Sequence, residues 1–137
     1  MVDRDIILGK IGVIQRCLRR IQDVTKNDPE LLKSFDVQDI FVLNLQRAAQ
    51  ATIDIAAHIV STEGLGVPHE LKENFVLLER AGIVDARLST KMQKMVGFQN
   101  LAVHDYQELD PEILKAILTH HLKDIEQFCS VAGRTTS

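Results

Sequence analysis

The sequence predicts an all-α fold, a bundle of about five helices that form one domain over residues 1–137. Apolar residues recur at spacings of three and four along most of the chain, and no segment shows the alternation typical of a strand. The three prolines, Pro29, Pro68 and Pro111, lie where one predicted helix gives way to the next. A chain of this length buries roughly two-thirds of the surface that its unfolded form exposes, which is enough for one core.

The first predicted helix runs from about Asp3 to Lys26. One face of it carries an apolar stripe, and its other faces are polar. The stripe consists of Ile7, Ile11, Ile14, Leu18 and Ile21. Asn27-Asp28-Pro29 then ends this helix or initiates a turn, and Asp36 offers a side-chain oxygen to cap the next helix.

The second predicted helix, roughly Val37 to Ser61, is apolar over much more than one side. A helix of this kind must be surrounded, either by the other helices of the same chain or by a second copy of the chain. The pattern therefore predicts a homodimer, with a higher assembly left open.

The remaining helices follow the turn at Gly64–Pro68. His69–Ala81 reads as a short amphipathic helix, and the next runs from about Asp85 or Leu88 to His104. The inward residues expected of the short helix are Leu71, Phe75 and Leu78.

The last predicted helix has the strongest start signal in the chain. Asp110 is a capping residue, and Pro111 stands where its missing N–H costs nothing. The helix is expected to reach about Ala132, with a polar tail from Gly133. Its predicted apolar stripe comprises Ile113, Leu114, Ile117, Leu118, Leu122, Ile125 and Phe128.

The charge balance limits the classes of partner. The chain has 16 Lys and Arg residues against 19 Asp and Glu residues, a formal net charge of -3. Indiscriminate binding to phosphate backbones requires an excess of cations, so RNA binding would need a local patch, and no DNA partner is expected. Arg47 is the best candidate for such a patch, because few positions of its helix are exposed.

The cellular setting is predicted to be the cytoplasm, with no membrane association. Cys17 and Cys129 both fall among apolar residues, which is typical of buried, reduced thiols. The N-terminus carries acidic residues rather than a signal peptide, and no apolar run is long enough to span a bilayer.

No cofactor and no metal are expected. None of the seven glycines belongs to a phosphate-binding loop. His120 and His121 are adjacent, so they point roughly 100° apart on a helix and cannot chelate one ion. Asp54 and His58 share one face of the second helix, and three roles stay open for them. These roles are a polar network between helices or subunits, the lining of an active cleft, and a metal pair.

Polar residues cluster at the end of the fourth predicted helix. Asn100 and His104 are four residues apart and project from one face, whereas Gln99 lies roughly 140° away from His104. An imidazole can transfer protons at neutral pH, which suits attack by a ribose 2′-hydroxyl on its neighbouring phosphate. Taken alone, the Asn-x-x-x-His spacing fits a capping or interhelical role as well.

The segment Lys94–Tyr106 resembles the signature of the HepT-like toxins of the HEPN superfamily, Arg-x4-His-x-Tyr. The resemblance extends over nearly the whole chain. The other similar segments are Ile14–Leu18, Leu43–Arg47, Ile53–His58, Gly66–Pro68, His120–Leu122 and Glu126–Phe128.

This resemblance implies a dimeric, metal-independent endoribonuclease that leaves a 2′,3′-cyclic phosphate on its RNA product. The two copies of the motif are expected to meet in a cleft at the dimer interface. His104 would be the acid–base group and Asn100 a positioning residue, while Asp54, His58 and Arg47 would line or support the cleft.

The resemblance also implies a protein partner, the minimal nucleotidyltransferase MntA. This antitoxin would transfer AMP to the motif tyrosine, which corresponds to Tyr106, the only tyrosine of the chain. AMP adds an anion where the RNA phosphate must lie, so the modification would repel the substrate and block the cleft.

The chain departs from the family pattern at one position, where Gln99 replaces the motif arginine. A neutral amide cannot supply positive charge to the phosphoryl oxygens. The sequence therefore predicts an impaired or inactive ribonuclease. The alternative is a non-catalytic HEPN module that binds a nucleotidyltransferase and presents substrate to it.

Overall fold

The computed structural model describes the backbone of residues 2–105 and 110–135 and the side chains of residues 2–99 and 110–135. Within these ranges the chain is helical and contains no strand, which confirms the all-α prediction. Two short helices of other types accompany the α-helices, a 3₁₀ helix at Pro29–Lys33 and a π-helical turn at Ile117–His121. The α-helices are α1 (Arg4–Thr25), α2 (Phe35–Thr62), α3 (Glu73–Arg80), α4 (Ala86–Asp105), α5 (Pro111–Ala116) and α6 (Leu122–Thr135).

Helix α1 matches its prediction closely. The Asp3 carboxylate caps it by accepting from the backbone N–H groups of Asp5 and Ile6. At its other end Lys26 adopts a left-handed conformation, with φ of 52°, and its N–H returns to the carbonyl of Gln22. The side chains that this helix buries include Ile7, Ile11, Ile14, Cys17 and Ile21.

Helix α2 begins earlier than expected, and its predicted cap was wrong. Ser34, not Asp36, is the capping residue, because Ser34 has extended backbone angles and its hydroxyl accepts from the Val37 N–H at 3.4 Å. Asp36 is the second residue of the helix, in the first turn, where a carboxylate interacts favourably with the positive end of the helix dipole.

Helix α2 packs mainly along α1, but one stripe of it stays uncovered by the described residues. Leu43 is 45% exposed and Gln50 is also exposed on this stripe. The inward faces of the helix are nearly inaccessible to solvent, with Phe41, Ile55 and Ile59 at 0%. The other helices of the same chain therefore cover α2 on most sides, and only the exposed stripe is left uncovered.

Helix α3 is shorter than predicted and starts at Glu73. Residues 69–72 form turns instead, and the Glu73 carboxylate accepts from the His69 N–H at 3.1 Å. Leu71, predicted to point inward, is 47% exposed because it belongs to these turns. Phe75 and Leu78 are fully buried, as expected.

The last predicted helix starts as expected, since Asp110 accepts from the Glu112 N–H at 2.9 Å with Pro111 in the first turn. The π-helical turn then divides it into α5 and α6. Of the predicted apolar stripe, Leu114, Ile125 and Phe128 are buried, whereas Ile113 is 42% exposed. The helix runs on to Thr135, so the tail predicted from Gly133 was wrong.

An ion pair between a half-exposed guanidinium and a buried carboxylate joins α4 to α6. The Asp124 carboxylate, whose side chain is 4% exposed, lies 3.2 Å from Nη2 of Arg87. Its other oxygen lies 3.6 Å from Nδ1 of His121, and Arg87 also donates to Gln127. The contact of His121 with Asp124 is local to the last helical segment, whereas the contact of Arg87 with Asp124 joins α4 to α6.

In the part of the chain that the structure describes, α1 with 22 residues and α2 with 28 residues are the longest helices. Among the described residues no helix combines the length and the apolar character that crossing a membrane requires. The largest fully buried side chains include Phe41, Phe75 and Phe128, which α2, α3 and α6 contribute to one core.

Both cysteines are free and buried, as predicted. Burial raises the pKa of the Cys129 thiol to about 11. Burial also raises the pKa of Cys17, while the nearby guanidinium groups of Arg47 and Arg16 oppose that shift. Only the thiolate is nucleophilic, so both thiols should be poorly reactive near neutral pH.

We therefore expect iodoacetamide at pH 8 to leave both cysteines of the folded protein unmodified, because about 0.1% of Cys129 is then thiolate for a pKa of about 11. The modified fraction of Cys129 should rise as the pH rises toward that pKa. Mass spectrometry measures this, with protein unfolded in guanidinium as the control. Complete modification of Cys129 in the native protein at pH 8 would contradict its burial.

Candidate active site

Gln99, the residue at the motif's arginine position, belongs to α4 and contacts α2. Gln99 is near the end of α4 and only 7% of its surface is exposed. Helix α4 is held upstream by Asp85, whose carboxylate accepts from the Leu88 N–H at 2.7 Å, and by Ser89, whose hydroxyl donates to the Phe75 carbonyl. The Asp85 bond caps α4 and the Ser89 bond joins it to α3, while Gln99, further along α4, meets Gln50 of α2.

Four side chains from three helices form a continuous hydrogen-bonded chain, which we call the relay: Lys10, Asp54, Gln50 and Gln99. Nε2 of Gln99 donates to Oε1 of Gln50 at 2.8 Å. Nε2 of Gln50 donates to Oδ1 of Asp54 at 2.9 Å, and Nζ of Lys10 donates to Oδ2 of Asp54 at 3.1 Å. The relay therefore joins α1, α2 and α4.

The relay is buried at one end and open to solvent at the other. The side chains of Lys10 and Asp54 are 42% and 37% exposed, so water screens their ion pair and it adds little to stability. Gln99 is almost completely enclosed and carries no charge. The structure thus places a neutral amide where the motif resemblance predicts a cation.

Asp54 and His58, which the sequence placed on one face of α2, bond to α1 and not to each other. Asp54 accepts from Lys10, while Nε2 of His58 accepts from the Asp3 backbone N–H at 3.1 Å. The predicted polar network between helices is therefore confirmed for both residues. Because Nε2 of His58 already accepts a hydrogen bond, that nitrogen has no lone pair left for a metal ion.

Arg47 is exposed on α2, about one turn before Gln50. Its guanidinium and that of Arg16 both act on the Cys17 thiol, which places the two cations near the same part of α1. No salt bridge of Arg47 is found among the side chains that the structure describes. Its spacing of three residues from Gln50 places Arg47 on the relay side of α2.

Three predicted site residues lie wholly or partly outside the described residues. The backbone of Asn100 and His104 belongs to α4, and their spacing of four residues puts both on one face of it. Their side chains lie outside the described residues, as does all of Tyr106.

Sequence reasoning missed two members of the relay, Lys10 and Gln50. The spacing of Gln50 and Asp54 is a signal that could have revealed one of them, because Gln and Asp four residues apart on a helix commonly hydrogen-bond. No local pattern marks Lys10, which reaches Asp54 across 44 residues of sequence. That contact depends on the pairing of α1 with α2.

Comparison with known proteins places these observations in context. A protein-family model described as ribonuclease HepT-like matches residues 14–132. The chain is 45% identical over 127 residues to the mRNA nuclease HepT of Shewanella oneidensis, covering 93% of this chain and 96% of that protein. It is 32% identical over 104 residues to the tRNA nuclease HepT of Aphanizomenon flos-aquae, covering 76% and 69%.

A solved structure is similar over the same extent. It is the tri-AMPylated HEPN toxin of Shewanella oneidensis in complex with its MNT antitoxin. It superimposes with a TM-score of 0.87 at 45% identity, covering 93% of this chain and 96% of that chain.

Proposed function

This chain belongs to the HepT-like ribonuclease family, and from that membership we propose that it is the toxin of a toxin–antitoxin pair. Its proposed reaction is metal-independent cleavage of RNA, and its proposed regulator is a nucleotidyltransferase antitoxin. The observation that carries the proposal is the 45% identity, over 93% of the chain, to a protein named as an mRNA nuclease.

In the proposed reaction His104 is the acid–base group. Its imidazole takes the proton from a ribose 2′-hydroxyl, and the oxygen attacks the adjacent phosphorus. The bond from phosphorus to the 5′-oxygen of the next nucleotide breaks, and that oxygen takes up the proton that the imidazole removed from the 2′-hydroxyl. The products are a 2′,3′-cyclic phosphate and a 5′-hydroxyl, and Asn100 is proposed to position the reacting groups.

The reaction as proposed is weak in this chain because of Gln99. Transition-state charge on the phosphoryl oxygens is stabilised by a fixed cation, which arginine provides through two parallel N–H groups. Gln99 is neutral, 7% exposed, and has its amide nitrogen bound to Gln50. We propose that impairment follows from this missing charge rather than from a misfolded site.

We also propose that the active form is a homodimer in which the two motifs share a cleft. The support is the exposed stripe of α2, on which Leu43 lies close in sequence to Arg47 and Gln50. An aliphatic side chain beside a cation and an amide suits an interface that also borders an RNA site.

The proposed regulation is AMP transfer to Tyr106. The support is the similarity to a toxin that is described as tri-AMPylated and in complex with an MNT antitoxin. Each AMP adds negative charge close to the proposed acid–base residue His104, which is two positions away. Repulsion of the RNA backbone would then silence the enzyme.

We expect co-expression with the cognate nucleotidyltransferase to raise the mass of this protein by one or more AMP units, all attached through Tyr106. Intact-mass spectrometry followed by peptide mapping measures this. The Tyr106→Phe protein is the matched control, because it keeps the ring and removes the acceptor oxygen. An equal mass gain in the Tyr106→Phe protein would exclude Tyr106 as the target.

One observation favours a second function, a non-catalytic module that binds the nucleotidyltransferase and presents substrate to it. Gln99 is fully accommodated by the relay, as expected of a position that no longer serves catalysis. The Gln99→Arg substitution distinguishes the two functions. It should restore RNA cleavage if the chain is a ribonuclease whose site is otherwise intact, and it should produce no cleavage if the chain is a non-catalytic module.

A further inference from the structure

We infer that the relay makes position 99 specific for a side chain that donates a hydrogen bond, and that Gln50 positions the side chain there. The donor requirement follows from the geometry of the relay alone. The positioning role of Gln50 in catalysis rests on the proposed ribonuclease function.

The first step concerns Asp54, which fixes the direction of the relay. An ionised carboxylate only accepts hydrogen bonds, and an ammonium group only donates them. One oxygen of Asp54 is occupied by Lys10 and the other by Gln50. Gln50 must therefore turn its NH₂ group toward Asp54.

The second step concerns the other end of the Gln50 amide. With its nitrogen committed to Asp54, Gln50 presents its carbonyl oxygen to α4, 2.8 Å from Nε2 of Gln99. Gln99 is 7% exposed, so little water reaches it to replace a lost partner. A side chain that cannot donate removes the protein donor from this oxygen and leaves it to water, while a carboxylate buried at position 99 places two acceptors against each other.

The third step links the donor requirement to the motif. Glutamine and arginine both carry N–H donors, so either satisfies the Gln50 carbonyl, which explains how Gln99 occupies the arginine position without disturbing the helices. A guanidinium has five N–H donors in a rigid fork. One bond to Gln50 would hold the group in place and leave the others for phosphate oxygens.

Melting temperatures at pH 8 test the donor requirement without any assay of RNA cleavage. We expect Gln99→Glu to lower the melting temperature by roughly 5–10 °C, more than the near-isosteric Gln99→Met, and Gln99→Arg to change it least. Asp54→Asn should rescue Gln99→Glu. An amide at position 54 can donate to Gln50, which lets Gln50 reverse and donate to the new carboxylate.

The rescue is the decisive comparison. If Gln99→Glu is no less stable than Gln99→Met, or if Asp54→Asn does not recover the melting temperature of Gln99→Glu, the donor requirement is wrong. Circular dichroism of each variant verifies that it remains helical at the starting temperature.

Kinetics of the Gln99→Arg protein test the positioning role. Adding Gln50→Leu should lower kcat roughly tenfold and leave KM nearly unchanged, because the guanidinium remains present but loses its orientation. Gln46→Leu, one turn away on α2 and outside the relay, is the control. Equal kcat values for the Gln50→Leu and Gln46→Leu proteins would overturn the positioning role. Absence of cleavage by Gln99→Arg itself would instead count against the proposed function, and the melting temperatures would still decide the donor requirement.

Discussion

The Gln99→Arg protein is expected to cleave RNA about 10²- to 10³-fold faster than the chain as it stands, which is the loss typical of removing one charge-stabilising group. The reason is a cation restored beside the proposed acid–base residue His104. The relay offers the guanidinium a ready hydrogen-bond acceptor on Gln50. Initial rates on single-stranded RNA measure the gain, and growth arrest on induction provides a cellular readout.

Three controls separate charge from other causes of a rate gain. Gln99→Met removes the amide without adding charge and should stay at the basal rate. Gln99→Lys adds a point charge without the fork and should recover less than arginine. His104→Ala combined with Gln99→Arg should abolish cleavage, because the proposed acid–base group is then absent. A Gln99→Arg protein that folds but neither cuts RNA nor arrests growth would contradict the ribonuclease function.

The Phe75→Ala protein is expected to lose about 3–5 kcal/mol of its free energy of unfolding. Phe75 is fully buried, and its ring meets that of Phe128 edge-on with centroids 5.6 Å apart. The Phe75 carbonyl also accepts from Ser89 on α4, so the residue lies where α3, α4 and α6 converge. Truncation leaves a cavity that these three helices cannot close by themselves. Urea denaturation followed by circular dichroism measures the change.

Phe35→Ala is the matched control for this truncation. Phe35 is 79% exposed at the start of α2, so the same change of side chain should shift the free energy of unfolding by less than about 0.5 kcal/mol. Comparable losses for both substitutions would show that Phe75 does not hold the core as the structure indicates.

The fold was largely predictable from the sequence because its main signals are local. Apolar spacing defines α1 and α2, and Asp110 followed by Pro111 defines the start of α5. The errors have local causes as well. Ser34 displaced Asp36 as the cap because it alone has the extended backbone of a capping residue. The π-helical turn carries no apolar pattern of its own, so the division of the last helix could not be anticipated.

The candidate site was predictable only in part, because its contacts are long-range. The sequence left a polar network as one of three roles open for Asp54, and the motif resemblance indicated that position 99 lacks its cation. Neither the direction of the hydrogen bonds nor the role of Gln50 could follow from spacing. Both depend on Lys10 of α1 and Gln99 of α4 approaching the same stretch of α2.

The chemical ends of the RNA product test the central claim most directly, namely that this chain is a metal-independent ribonuclease weakened by the neutral residue Gln99. The Gln99→Arg protein, incubated with a short RNA in excess EDTA, should yield fragments ending in a 2′,3′-cyclic phosphate, and the protein with the additional His104→Ala substitution should yield none. Fragments with other ends, cleavage that EDTA abolishes, or equal cleavage by the two proteins would contradict it.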